Sequence, residues 1–157
     1  YINYYMYSIS TIYILMFIIT ALWDVVLRVM SENYDTLPKY IQSYGFLKEL
    51  QPYFKHHTLL SAALIAGFVG ACSLYFVLLI HKLPTNMDTT FSFMIVAFVV
   101  SALYGFLMKF SGLHPHLDKT YYKYLGTVRG MLHDGVSGLI AGGTLLVVLY
   151  VLKYYKM

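Results

Sequence analysis

A chain of 157 residues has the length of one domain, but 59% of it is hydrophobic and only 11% is charged, far from the roughly 25% charged of soluble domains. Water is therefore excluded as the expected solvent for most of the chain. The net charge of +4 is spread without a basic run dense enough to track phosphates, so nucleic acid is not an expected partner.

Residues 1–23 carry no charge, and Ile9–Trp23 is the dense inner part of a first membrane span predicted over about 5–27. The segment lacks a basic leader region and a small-residue cleavage site, so it is expected to remain as structure. Loop one follows, residues 28–57. Its apolar residues Leu37, Tyr40, Ile41, Tyr44, Leu47, Leu50 and Phe54 are helix-spaced around Pro38 and Pro52, which predicts an amphipathic interfacial helix.

The second span is the clearest. Thr58–Ile80 is uncharged, and only Ser61, Cys72, Ser73 and Tyr75 interrupt its apolar run, so it has no polar stripe of the kind a soluble core helix shows. A third span is predicted over about 89–109 and a fourth over about 136–153, the last extended by Tyr150, Tyr154 and Tyr155 as an aromatic belt. Between them, loop three (110–135) repeats the amphipathic pattern with Leu117, Tyr121, Tyr124, Leu125, Val128, Met131 and Leu132. Its basic residues fall elsewhere on the wheel.

The expected fold class is thus all-α: a single integral membrane domain, a four-helix bundle with amphipathic interfacial helices in loops one and three. Loops one and three hold Arg28, Lys39, Lys48, Lys55, Lys109, Lys119, Lys123 and Arg129, whereas the other face holds Lys82, Lys153 and Lys156. The positive-inside rule then places both long loops in the cytoplasm and both termini opposite. Lipid or a partner is expected to meet Trp23, Arg28, Lys119, Tyr121, Lys123, Tyr124 and Arg129.

Small residues recur at four-residue spacing: Ala63, Gly67 and Ala71 in span two, Ser101 and Gly105 in span three, Gly138 and Gly142 in span four. Such ridges let helix backbones approach closely where lipid removes the hydrophobic drive, which predicts a tightly packed bundle. The string LIAG occurs at 64–67 and again at 139–142. If it marks a duplication, two hairpins would pack about an axis normal to the membrane.

Chemistry is sparse. Asp24 and Arg28, one turn apart, are expected to form an i,i+4 ion pair at the interface, with an ion path through Asp24, Arg28 and Asp134 as the alternative. Asp134 is expected to cap the fourth span, and Asp88 the third. His56, His57, His114, His116 and His133 fall on one side, yet without a third-ligand spacing or an HExxH pattern they read as solvated histidines, not as a metal site. Cys72 stands alone in the sequence, so no intrachain disulfide forms. No phosphate-cradling loop or nucleophile elbow is present, so no cofactor and no enzyme activity are expected.

The blocks WDVVLRVMSENYDTLP, LQPYFKHHTLLSAALIAGFVGA and HPHLDKTYYKYLGTVRGMLHDGVSGLIAG resemble small multi-span membrane proteins of nucleocytoplasmic large DNA viruses over roughly residues 23–143. The resemblance implies a structural protein of the virion's internal membrane or its host-membrane precursor, with capsid proteins or other membrane proteins as partners. It carries no catalytic residues. Two other expectations share the composition: a small oligomeric channel or transporter, built from copies of this chain, and a supernumerary subunit of an organellar membrane complex.

Overall fold

The computed structural model describes residues 9–43, 45–84, 87–111 and 127–152. Among these residues the chain is helical throughout and forms no strand. In order come α1 (Ile9–Glu32), a 3-10 turn (Tyr34–Thr36), α2 (Lys39–Gln42), α3 (Phe46–His56), α4 (Leu59–Ile80), α5 (Met87–Ser111) and α6 (Val128–Val151). Helices α1 and α4, Met87–Leu107 of α5, and α6 are each long and apolar enough to cross a bilayer.

Capping fixes where two of them begin. Thr58 Oγ1 accepts the Ser61 amide at 3.2 Å at the head of α4, and Thr127 Oγ1 accepts the Gly130 amide at 3.1 Å at the head of α6. The cap expected at Asp134 is therefore made by Thr127. Helix α6 starts well upstream of Val136, because Thr127 satisfies its free amides and Gly135 lets the extra turns press against Phe98. Asp88 lies in the first turn of α5, where a carboxylate meets the positive end of the dipole.

Loop one is broken where one amphipathic run was expected. The one-turn α2 stops at Ser43, and Gly45 takes the left-handed conformation, φ +65°, that L side chains rarely adopt. The chain then restarts as α3, and Pro52 lies inside this helix. Leu47, Leu50 and Phe54 are buried, with Leu50 and Phe54 packed against Leu27 and Ala62. Tyr40, in contrast, is exposed. Ser31 Oγ, itself fully buried, donates to Leu47 O at 2.6 Å, and Gln51 Nε2 returns a bond to Ser31 O at 2.9 Å, which ties α3 along the end of α1. The loop-three helix expected over 117–132 falls mostly outside the described residues. Its last members, Val128, Met131 and Leu132, form the first turns of α6.

The four long helices pack as two hairpins, α1 with α4 and α5 with α6, closed into a ring by α4 against α5 and α1 against α6. Close approach depends on glycine. A Cβ on Gly67 would lie 2.7 Å from the Phe17 ring, one on Gly70 would collide with Thr20, and one on Gly138 would collide with Ser101. Gly105 and Gly142 are buried as well, whereas Ala63, Ala71 and Ser101 are half-buried.

The apolar core occupies the end of the ring where α1 starts and α6 stops. It comprises Ile12, Met16, Ile19, Leu74, Val77, Phe93, Ala97, Ala141, Leu145 and Leu149. The half toward loop one is filled differently.

Candidate functional site

A cavity of about 260 Å³ opens in the loop-side half of the ring. Every long helix contributes to its wall, and α3 lies across its mouth with Phe46, Glu49, Leu50 and Phe54. Small side chains at Ala66, Gly70, Gly130 and Gly138 leave the room, and Met16, Ser73 and Ala141 bound it at the level where the apolar core begins. The cavity is therefore a blind vestibule: beyond Met16 and Ala141 the interior is filled by Leu74, Val77, Phe93, Leu145 and Leu149.

Its polar groups come from residues far apart in sequence. Asp24 (α1), Glu49 (α3), Tyr104 (α5), and His133 and Asp134 (α6) all line it, together with Thr20, Ser101 and Ser137. Three carboxylates line one space that no Lys or Arg among the described residues lines. Of the three, Glu49 is neutralised by Arg129, whose Nη2 lies 2.8 Å from Oε1.

The other two have no such partner among the described residues. Asp24 was expected to pair with Arg28. Arg28 turns instead toward the end of the helix, where its Nε donates to Glu32 Oε1 at 2.8 Å and its Nη1 donates to His57 O at 2.9 Å. The guanidinium carbon also stands 5.9 Å from the Phe54 ring centre. The physical reason is hydration: Glu32 is half exposed, so that pair forms with less desolvation than one formed beside Asp24. Among the described residues, Asp24 Oδ2 is left fully buried with no hydrogen-bond partner, and so is His133 Nε2. The His133 ring stacks on Phe46, with centroids 4.1 Å apart and planes 20° from parallel.

Trp23, expected at the lipid interface, points partly into the ring wall. Its Nε1 donates to Thr144 Oγ1 at 3.1 Å, and Thr144 donates onward to Ile140 O at 2.7 Å. Among the five histidines expected on this side, His133 lines the cavity and His57 closes α3. His114 and His116 lie outside the described residues, as do Lys119, Tyr121, Lys123 and Tyr124, and so does the side chain of His56. Among the described residues no three His, Cys, Asp or Glu side chains converge as a metal site would require.

Glu49, Tyr104, Phe46 and Ser137 were not singled out from sequence. Glu49 alone left a signal: it is the single acidic residue between Lys39 and Lys55. The chain matches no protein-family model, no curated protein and no solved structure.

Proposed function

We propose that the chain is a multi-pass integral membrane protein with a structural role in a large DNA virus, seated in the virion's internal membrane or its host-membrane precursor. Its loop-side face, which carries Arg28, Lys39, Lys48, Lys55 and Arg129, would meet capsid protein or anionic lipid. Only 17–33% of each candidate span is buried inside the fold, so the apolar residues facing outward, among them Ile14, Phe68, Phe76 and Val147, call for lipid or a partner around them. The observation that carries the structural reading is the sealed core. Among the described residues, Phe93, Leu145 and Leu149, each at most 1% exposed, stand between the vestibule and the far end, as suits a bundle built to hold and not to conduct.

Quantitative mass spectrometry of purified virus particles, before and after mild detergent stripping, tests this reading. Stoichiometric presence with retention on the capsid shell is the expected result. Absence from particles would reject it.

The vestibule itself favours a second reading, a small channel or transporter with the cavity as its loop-side entrance. Flux into liposomes that hold the purified protein separates the two. Acid-dependent conductance lost in Asp24→Asn or His133→Ala would overturn a purely structural role.

A further inference from the structure

We propose that the vestibule is a binding site for a small organic cation: an ammonium group carried on a compact apolar body. The proposal rests on the cavity alone and not on the capsid reading, so either can fail without the other.

Charge is the first argument. Among the described residues, Asp24, Glu49 and Asp134 line the space and no Lys or Arg does; Arg129 pairs with Glu49 and Arg28 with Glu32. Two carboxylates thus remain for an occupant of opposite sign.

Unsatisfied hydrogen-bonding capacity is the second. Native interiors leave few buried polar atoms without partners, and each such atom invites an explanation. Two of the cavity-lining residues, Asp24 and His133, each keep one fully buried polar atom with no hydrogen-bond partner among the described residues. A carboxylate oxygen only accepts, and a neutral imidazole nitrogen can accept when its proton is on Nδ1. Two acceptors match an ammonium, which has donors and no acceptor.

The remaining wall argues for a body on that cation. Trp23 and Tyr104 bring aromatic rings to the lining, and Leu27, Ile65 and Val69 supply apolar surface. Ring faces attract cations within about 6 Å of their centres. An apolar cavity of about 150 Å³ holds benzene, so about 260 Å³ admits a ring of that size with its ammonium. A bare metal ion would leave most of this wall unused.

Trp23 is the single tryptophan of the chain and it lines the cavity, so its fluorescence reports occupancy directly. The full chain in lipid nanodiscs is titrated with benzylammonium, with benzyl alcohol as the neutral counterpart and potassium as the inorganic one. The expected result is a saturable change with benzylammonium only. Asp24→Asn and Asp134→Asn each weaken it at least tenfold, and Ala66→Leu, which fills the space and keeps both carboxylates, abolishes it while helicity by circular dichroism is unchanged.

A non-saturating response identical in all variants would mean partition into lipid and would overturn the site. An equal saturable response to benzyl alcohol would reduce it to an apolar pocket. Displacement by equimolar potassium would reassign it to inorganic cations. Binding that survives Ala66→Leu would move it elsewhere.

Discussion

Arg129, in the first turn of α6, holds Glu49, in the first turn of α3, at 2.8 Å across the mouth of the vestibule. The two residues are 80 positions apart in sequence, and their pairing pins the loop-one helix to the last long helix. Beside it, Phe46 stacks on His133 and reinforces the same junction.

The pair is only partly shielded, with Arg129 51% and Glu49 24% exposed, so its coupling is expected to be about 0.2–1 kcal/mol and to shrink in high salt. A double-mutant cycle with Glu49→Gln and Arg129→Gln measures it. Hydrogen exchange across Phe46–His56 is expected to rise in either single variant. Zero coupling with unchanged exchange would show that Leu47, Leu50 and Phe54 hold α3 unaided.

Helix contact at Gly138 and Gly142 is expected to respond in opposite ways to added carbon. Gly138→Val drives a branched side chain into Ser101 and the Ala97 carbonyl, an overpacking expected to cost about 1–3 kcal/mol. Gly142→Ala places its Cβ 3.5 Å from Ala97 Cβ, an ordinary contact, and replaces a helix-interior glycine, so stability is expected to hold or rise by up to about 1 kcal/mol. Unfolding in mixed micelles ranks the two. Equal losses would mean that the α5–α6 contact is looser than these distances imply.

The sealed core is expected to break at Leu145, which is fully buried. Leu145→Ala leaves a cavity and is expected to cost about 2 kcal/mol or more. The paired change Leu74→Ser with Leu145→Ser adds hydroxyls beyond the blind end of the vestibule. Liposomes with this double variant are expected to leak protons where those with the unaltered chain stay tight. A tight double variant would locate the seal elsewhere.

The four long helices were legible because length and apolarity are properties of a continuous stretch. Thr58–Ile80 declares itself with no knowledge of its neighbours. Gly67 and Gly138 were legible for a related reason, since small residues one turn apart leave a groove on any helix. The vestibule was not legible. Asp24 and Asp134 are 110 positions apart, and a helical wheel gives the relative rotation of residues on one helix but not which neighbour that face meets. The Asp24–Arg28 spacing suited an ion pair, but a competitor at the same spacing on the other side of Arg28, Glu32, took the guanidinium. Asp134 failed as a cap because Thr127, outside the apolar run, did that work earlier in the chain.

The bond from Trp23 to Thr144 spans 121 positions and joins the first long helix to the last. Each hairpin, α1 with α4 and α5 with α6, is built from contacts within its own half of the chain. The vestibule is not, because its acidic wall is divided between them: Asp24 arrives with the first hairpin and Asp134 with the second. Neither half holds both carboxylates, so the acidic wall exists only once α6 has packed against α1. The docking of two halves is thus what creates the chamber, and a chain cut between Ile80 and Met87 would own each part of it and have none of its interior.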